Sequence, residues 1–257
     1  PSLVLGQRWT PQLNSRNMMK VVLCVWIEPY IENDLSFCVW PVHTPTTSKE
    51  VLTLSASTSP LPYTGNKSCI VNTILSVMPK HTVYIDPCMG SAEVFFRKPR
   101  AEKEILNDYN GDLVNLFRVI QNNEKLAYLL GRLYLSINGE LAFKQNKDRL
   151  KGVPNILDDV IETSQIFYDA SWEDIQNAAA FLENQVYSFS STGQTFGIAR
   201  RDMSQRLPRL MSAYNRIRDA IILHRDYKDV ITYAACPGSF ILLDPPYKGT
   251  EDMYSKA

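Results

Sequence analysis

The chain has 257 residues, 45% of them hydrophobic, and its 27 basic residues balance its 27 acidic residues. This length and composition allow one large domain, or one domain with an insertion, around a sizeable buried core. The charge balance excludes a global positive field as the basis for binding nucleic acid, so any basic surface has to be local.

Five cysteines are scattered without a Cys-x-x-Cys pair, and the three histidines show no metal-ligand spacing. This pattern indicates reduced thiols in a cytosolic protein and predicts no metal site. The apolar run MMKVVLCVWI at 18–27 is too short to cross a bilayer and lacks a signal-peptide cleavage site. We therefore expect a strand there, and no membrane partner.

The predicted elements divide the chain into three parts. Residues 1–60 hold two strand-like runs, KVVLCVWI and LSFCVWPV, and form an N-terminal extension of unclear role. From residue 61, a helix (CIVNTILSVM), a strand (TVYID), a second strand (KEILND) and a helix (GDLVNLFRVIQNN) alternate as in a parallel α/β sheet. Residues 121–220 are predominantly helical and read as an insertion, after which AIILHRDY and SFILLDPPY predict two further strands. The sheet domain is thus predicted over 61–120 and 221–257.

The stretch VYIDPCMGSAEVFF at 83–96 predicts a ligand-binding loop. A strand ends at Asp86, and the small residues Gly90 and Ser91 open the next helix, so a ligand can approach the backbone and the helix N-terminus closely. The loop lacks the G-x-G-x-x-G pattern of dinucleotide sites, which favours a smaller adenosyl ligand.

The next predicted strand ends in EILNDYNGDL, where Asp108 can accept hydrogen bonds from the two hydroxyls of a ribose. An alternative role for Asp108 is the N-cap of the helix that starts near Gly111.

Near the end of the known sequence, FILLDPPYKGTEDMY joins an apolar run to Asp-Pro-Pro-Tyr. The apolar run is typical of a strand buried on both faces, and neither proline can donate a ladder hydrogen bond. A carboxylate, a stiff loop and an aromatic ring are therefore held at the carboxyl end of a strand, where open α/β sheets bind ligands. A capped strand end followed by an ordinary turn is the alternative.

Taken together, these stretches resemble the Dam-type (alpha-group) N6-adenine DNA methyltransferases from Tyr63 to Tyr254, with YTGNKSCI, YIDPCMGSAEVFF, EILNDYNGDL, HRDYKDVI and DPPY in the order of that group. The resemblance implies an α/β, Rossmann-like methyltransferase sheet with a mostly helical target-recognition insertion, and S-adenosylmethionine as cofactor. It implies the following cofactor-binding residues: Tyr63, Lys67, Asp86, Pro87, Cys88, Gly90, Ser91, Asp108, Asp226 and Tyr227.

The resemblance also implies a catalytic role for Asp244, Pro245, Pro246 and Tyr247. An adenine amine is a poor nucleophile, so the Asp244 carboxylate and the Pro245 carbonyl would accept its two protons while Tyr247 stacks on a base flipped out of double-stranded DNA. The alternatives are a truncated relative that binds S-adenosylmethionine or DNA without turnover, and a methyltransferase for N4 of cytosine or for an RNA amine.

The insertion is expected to carry DNA recognition. The loop YSFSSTGQTFG resembles the DNA-contacting loop of the group, and the segment that follows is locally basic. A solvated helix face is the alternative explanation for the arginines. The predicted DNA-binding residues are Ser190, Thr192, Gln194, Arg200, Arg201 and Arg206.

Members of the group normally continue well past DPPY, whereas this sequence stops at Ala257. Absent strands would leave an exposed sheet edge and so favour dimerisation or instability. The strand-like runs within 1–60 would otherwise have to occupy part of that place. We expect a cytoplasmic, DNA-associated protein of bacterial or phage type, of the restriction-modification kind.

Overall fold

The computed structural model describes residues 23–27, 37–41, 58–152, 170–199 and 201–245. Six strands are described: β1 (Leu23–Ile27), β2 (Phe37–Pro41), β3 (Val83–Asp86), β4 (Lys103–Asn107), β5 (Ile221–Leu223) and β6 (Ser239–Leu243). The described α-helices are α1 (Val71–Val77), α2 (Glu93–Arg97), α3 (Gly111–Gln121), α4 (Asn123–Tyr134), α5 (Glu140–Leu150), α6 (Ala170–Tyr187), α7 (Leu207–Ile217) and α8 (Tyr227–Ala234). Short 3₁₀ turns follow at Phe189–Ser191 and Met203–Arg206.

The six strands form one sheet in the order β2-β1-β6-β3-β4-β5. β6, β3, β4 and β5 run parallel, which confirms the predicted parallel α/β sheet. Because parallel strands share a direction, all four of their carboxyl ends lie at one edge. β4, the next strand in sequence, lies on one side of β3, and β6 lies on the other side. The strand order therefore reverses at β3, the place where such sheets bind ligands.

The strands of the N-terminal extension belong to this same sheet. β1 pairs antiparallel with β6 from Leu23 opposite Leu243 to Trp26 opposite Phe240, and β2 pairs with β1. The expectation of an exposed edge beside the DPPY strand is therefore wrong, because β1 supplies the neighbouring strand. The observed pairing matches the other arrangement considered above, in which the strand-like runs within 1–60 occupy part of the place of the absent strands. The oligomeric state stays a prediction.

The two faces of the sheet pack against hydrophobic clusters of different size. Tyr84 and Phe240 face the large core that the helices of residues 58–217 share, whereas Ile85 and Ile241 face a small cluster with Val230 of α8. Alternate residues of one strand thus enter different layers, which explains why β3 and β6 carry apolar side chains at successive positions.

The helical character predicted for residues 121–220 is confirmed for the part that the structure describes. α6 packs against α3, α4 and α5, and its buried residues, such as Ile175, Ala179 and Leu182, recur at helical spacing. These helices share one hydrophobic core with the sheet, so they are held rigidly beside it.

A buried ionic cluster joins the last helix of the insertion to the sheet. Glu104 of β4 accepts hydrogen bonds from Lys98 and from both terminal nitrogens of Arg216 in α7, at 2.5 to 2.7 Å. Burial lowers the pKa of Lys98 to about 8, although its bond to Glu104 opposes that change. Burial alone would raise the pKa of Glu104, but the bonds from Arg216 and Lys98 hold it below its ordinary value. One carboxylate therefore compensates two buried cations.

Replacing this carboxylate should be costly. We expect Glu104→Gln to lower the free energy of unfolding by about 3–5 kcal/mol, because it leaves Lys98 and Arg216 buried without a counter-charge. Urea denaturation followed by circular dichroism measures the effect. Glu102→Gln, at an exposed position two residues away, is the matched control and should change stability little. Equal effects of the two substitutions would contradict the assignment.

Candidate functional site

A cavity of about 380 Å³ lies at the carboxyl edge of the four parallel strands. Its walls come from the segments that follow β3, β4, β5 and β6, and from the segment 63–67 that precedes α1. Every residue predicted to bind the cofactor lines this cavity, together with the predicted catalytic residue Asp244. The sequence prediction thus selected residues that the fold brings together from five separate segments.

Gly90 and Asp108 meet at the centre of one wall. The Gly90 amide donates to Asp108 Oδ2 at 2.9 Å, and the Asn110 amide donates to Asp108 Oδ1 at the same distance. Gly90 has a φ of +47°, which favours glycine, and a Cβ built there would lie 3.6 Å from the Tyr63 ring. Each carboxylate oxygen keeps a lone pair for a further donor such as a ribose hydroxyl.

The alternative role of Asp108 as the cap of α3 is wrong. Asn110 is the N-cap, and its side-chain oxygen accepts from the amides of Asp112 and Leu113. Asp108 lies two residues earlier and faces the cavity. Burial raises its pKa, while the hydrogen bonds from Asn110 and Gly90 lower it.

Five carboxylates, against the two cationic side chains of Lys67 and Arg225, give the cavity a negative character. Burial raises the pKa of Asp86 to about 7, the hydroxyl of Tyr84 opposes this with a 3.0 Å hydrogen bond, and the charges of Asp244 and Asp108 raise it further. Burial and the same carboxylates also raise the pKa of the Cys88 thiol, so this cysteine is a neutral lining group and not a nucleophile. A cation bound in the cavity would relieve this mutual repulsion.

Of the carboxylates that line the cavity, only that of Asp244 forms an ion pair with a lysine among the described residues. Its Oδ2 forms an ion pair with the Lys67 ammonium, which also donates to the Gly65 carbonyl at 2.8 Å. Its Oδ1 is buried and has no hydrogen-bond partner among the described residues. A buried acceptor without a donor costs roughly 1–3 kcal/mol, so a hydrogen bond from a ligand N–H to this oxygen would be favourable.

The segment after β5 closes the opposite side. Asp226 and Tyr227 line the cavity at the N-terminus of α8, where the Asp226 side chain caps the helix by accepting from the Lys228 amide at 2.8 Å. Asp226 therefore has a structural bond in addition to the predicted contact with the cofactor adenine.

Asn107 is a structural residue of the site that the sequence prediction missed. Its buried side chain donates to the carbonyls of Pro87 and Arg225 at 2.8 and 2.9 Å and accepts from the Arg225 amide at 2.9 Å. It thereby ties together the chain segments leaving β3, β4 and β5. The sequence feature that could have identified Asn107 is an amide side chain at the end of a predicted buried strand, a position where an unpaired polar group would be costly.

Of the other predicted catalytic residues, Pro245 is half-buried directly after Asp244. Pro246 and Tyr247 lie outside the described residues, so their roles stay predictions.

The predicted DNA-contacting loop begins where α6 ends. A bridge between Ser188 and Phe196 closes it, and Ser190 and Ser191 both adopt positive φ, of 52° and 55°. Such conformations cost about 1–3 kcal/mol each in non-glycine residues. The Ser191 carbonyl accepts from the Thr64 hydroxyl at 3.2 Å, and Thr64 lines the cavity. The loop therefore lies against the mouth of the cavity.

The remaining predicted DNA-binding residues show mixed environments. Thr192 donates to the Phe189 carbonyl at 3.1 Å, and the exposed Gln194 accepts from Lys147 through its carbonyl at 2.7 Å. Burial lowers the pKa of Arg206, and the nearby charges of Arg209 and Arg201 lower it further. Arg200 lies outside the described residues. Three arginines of the predicted basic segment, Arg201, Arg206 and Arg209, thus lie near one another.

Two absences hold within the described residues. They contain no group of three or more His, Cys, Asp or Glu side chains arranged to hold a metal ion. None of the helices seen there has the length and apolarity needed to cross a membrane.

Comparison with known proteins agrees with the geometry. The chain is 25% identical over 210 residues to Modification methylase StsI of Streptococcus sanguinis, an alignment that covers 77% of this chain and 30% of that protein. It is 23% identical over 192 residues to Type II methyltransferase M1.LlaDCHI of Lactococcus lactis subsp. cremoris, covering 72% of this chain and 64% of that protein. The chain thus spans less than two thirds of the length of either relative.

Residues 63–257 match the family described as D12 class N6 adenine-specific DNA methyltransferase. This match begins at Tyr63, the first residue of the cavity wall, and includes all four parallel strands. The chain therefore belongs to the D12 class N6 adenine-specific DNA methyltransferase family.

Proposed function

We propose that this protein transfers a methyl group from S-adenosylmethionine to the N6 amine of adenine in double-stranded DNA. The observation that carries the proposal is Asp244 Oδ1, which has no partner among the described residues, in a cavity that four further carboxylates line. Such a site combines an acceptor for a target amine with a pocket for a cationic methyl donor. Assignment to the Dam-type subgroup and a role in DNA modification are parts of the same proposal, and the names of the two relatives support the second.

The cavity fits S-adenosylmethionine in size, charge and donor set. Its volume of about 380 Å³ lies within the usual range of roughly 300–1,000 Å³ for small-molecule sites. Asp108 would hold the ribose hydroxyls, the loop at Asp86–Gly90 would face the methionine end, and Asp226 with Tyr227 would hold the adenine. When bound, the cofactor supplies an electrophilic methyl group on a positively charged sulfur.

Asp244 would act on the target amine. The lone pair of an exocyclic amine is conjugated with the ring, so attack requires acceptors that draw its protons out of the ring plane. Asp244 Oδ1 can accept a hydrogen bond from one N–H of the amine, while the pairing of Oδ2 with Lys67 holds the carboxylate in place. The Pro245 carbonyl would accept a hydrogen bond from the second N–H. The methyl would then transfer in one in-line displacement, in which the bond from nitrogen to the methyl carbon forms as the bond from sulfur to that carbon breaks, and the excess proton on nitrogen would pass to Asp244.

The insertion would hold the DNA. The surface of Arg201, Arg206 and Arg209 suits phosphate contacts, which position a duplex without reading its sequence. The loop closed by Ser188 and Phe196 touches the cavity mouth, so a base extruded near this loop would have a short path to Asp244. In this arrangement residues 121–220 recognise DNA, while 61–120 and 221–257 perform the chemistry.

The direct test of activity uses labelled S-adenosylmethionine and unmethylated DNA, followed by digestion to nucleosides. We expect label in N6-methyladenine. Label in N4-methylcytosine, or in RNA offered in parallel, would overturn the assigned acceptor. An absence of transfer together with cofactor binding would favour a non-catalytic relative.

Substitution of Asp244 removes the acceptor Oδ1 and should stop methyl transfer while leaving cofactor binding largely intact. We expect Asp244→Ala to lower the rate of methyl transfer by at least about 10²–10³-fold, the usual effect of removing one preorganised polar contact at a reacting atom. Cofactor affinity, measured by isothermal titration calorimetry, should fall much less. Asp219→Ala is a suitable control, because Asp219 is exposed and lies outside the cavity. An unchanged rate for Asp244→Ala would remove this residue from the mechanism.

Cofactor binding should depend on pH through Asp86. Its pKa of about 7 is raised chiefly by burial, so below pH 7 it is protonated and offers no charge to a cation. A bound cation favours the ionised form, so binding releases a proton and affinity should rise about tenfold between pH 6 and pH 8. Titration calorimetry over this range measures the effect.

Two comparisons isolate the cause of this pH dependence. Asp86→Asn should flatten the profile, since the amide keeps the shape of the side chain without its titration. S-adenosylhomocysteine, which lacks the sulfonium charge, should show a weaker dependence than S-adenosylmethionine. A profile that is unchanged in Asp86→Asn would assign the dependence to Asp108 or to another group of the cavity.

A further inference from the structure

A second concavity, of about 530 Å³, lies in the helical insertion. It sits between the connection from α4 to α5 and the segment that follows α6. We call it the insertion recess. Its lining includes Ser136, Asn138, Tyr187, Phe196, Ile198 and Arg201.

Asn138 is the unsatisfied group of the insertion recess. Its Oδ1 is buried and accepts no hydrogen bond from any residue that the structure describes. Its Nδ2 reaches the carbonyls of Ala199 and Arg201 only at 3.5 Å, beyond the usual 2.7–3.2 Å for such bonds. Both ends of one amide therefore lack a well-formed hydrogen bond to the described residues, and they suit a ligand that offers a donor and an acceptor side by side. The N6 and N7 edge of adenine is such a ligand, and Asn is the side chain that pairs with it in two hydrogen bonds.

The surroundings of Asn138 match a base-reading surface. Ile198 is 97% exposed at the recess and can contact a thymine methyl group. Arg201 belongs to the arginine surface described above, so phosphate contacts would adjoin base contacts. The hydroxyls of Ser136 and Tyr187 bond each other at 3.0 Å and fix the wall between the two chain segments. The site is therefore largely preformed.

The insertion recess lies within reach of the same short DNA sequence as the catalytic cavity. Phe196 lines the recess, and Ser191 in the same loop contacts Thr64 at the cavity. Five residues separate Phe196 from Ser191, so at most roughly 18 Å of extended chain joins them. With base pairs about 3.4 Å apart, this distance corresponds to about five base pairs.

We propose that the insertion recess reads a base of the recognition sequence and that Asn138 determines specificity there, by pairing with the edge of an adenine a few base pairs from the methylated one. This inference rests on the proposed function in one respect only, namely that the ligand is DNA.

The test compares the base preference of wild-type protein with that of three recess variants and a control. Duplexes are selected from a randomised pool in the presence of S-adenosylhomocysteine and sequenced, and methylated positions in genomic DNA are mapped separately. Asn123→Ala is the matched control, since it changes an exposed asparagine at the far end of α4, about 16 Å along the helix. Cofactor affinity is measured for each variant and should be unchanged where the cavity is intact.

We expect Asn138→Ala to lower the preference for one base about 5- to 100-fold while leaving the other positions of the motif intact. Asn138→Asp should move the preference at that position from adenine toward cytosine, because a carboxylate accepts from the cytosine N4 amine. Ile198→Ala should weaken the preference at the same or a neighbouring base pair, and its exposed side chain makes misfolding an implausible cause. Asn123→Ala should select the wild-type motif.

Contrary outcomes separate the two proposals. A wild-type motif in both Asn138 variants, or a uniform loss of binding across all sequences, would overturn the base-reading role. The first of these results would fit a recess that docks a protein instead. If the Asn138 variants shift the selected motif as expected but wild-type protein transfers no methyl group, the proposed activity fails and the recess assignment stands. If it selects no motif at all, the recess assignment fails.

Discussion

The candidate site depends on one buried amide, that of Asn107. Three chain segments leave the sheet at its carboxyl edge, and each has backbone groups that a strand can no longer satisfy. Asn107 bonds the Pro87 carbonyl on one side and both backbone groups of Arg225 on the other. Because buried polar groups are costly when unpaired, these bonds fix how far apart the segments after β3 and β5 can lie. Asp86 and Asp226 line the same cavity as a result.

The structure contains two charged clusters of opposite composition, one of which is structural while the other lies in the candidate site. At Glu104, one carboxylate serves two cations, and every partner is already inside the protein. Among the described residues of the cavity, five carboxylates stand against one lysine and one arginine, and one buried oxygen has no donor. The first cluster holds α7 on the sheet. In the second cluster, a positively charged ligand would relieve the repulsion between carboxylates, and a substrate N–H would satisfy the unpaired oxygen. Groups strained in this way are typical of a functional site.

The sequence was sufficient for the parallel strands and for the residues of the cavity wall, because both depend on local patterns. An apolar run ending in Asp, as at Asp86 or Asp244, defines both a strand and the edge at which its last side chain emerges. The pairing of β1 with β6 was not predictable in this way, since register between distant strands is set by tertiary packing. Asn107 and Asn138 were missed for a related reason: an asparagine becomes significant only when its partners, distant in sequence, are known. The cap of α3 at Asn110 shows the same limit at short range, because Asp108 and Asn110 are both good capping residues.

The geometry between the catalytic cavity and the insertion recess is set by helix packing more than by loops. α3 begins at the cavity, where its cap Asn110 contacts the Tyr63 hydroxyl, and α6 ends at the recess with Tyr187. These two helices pack along each other in the shared core. Since cores are close-packed, the two sites are held at a nearly fixed separation. A recognition sequence read at the recess would then stand in constant register with the base delivered to Asp244, and the contact of Ser191 with Thr64 would only close the remaining gap. Under the proposed function, sequence specificity and the choice of the methylated base would thus both depend on the same packed pair of helices.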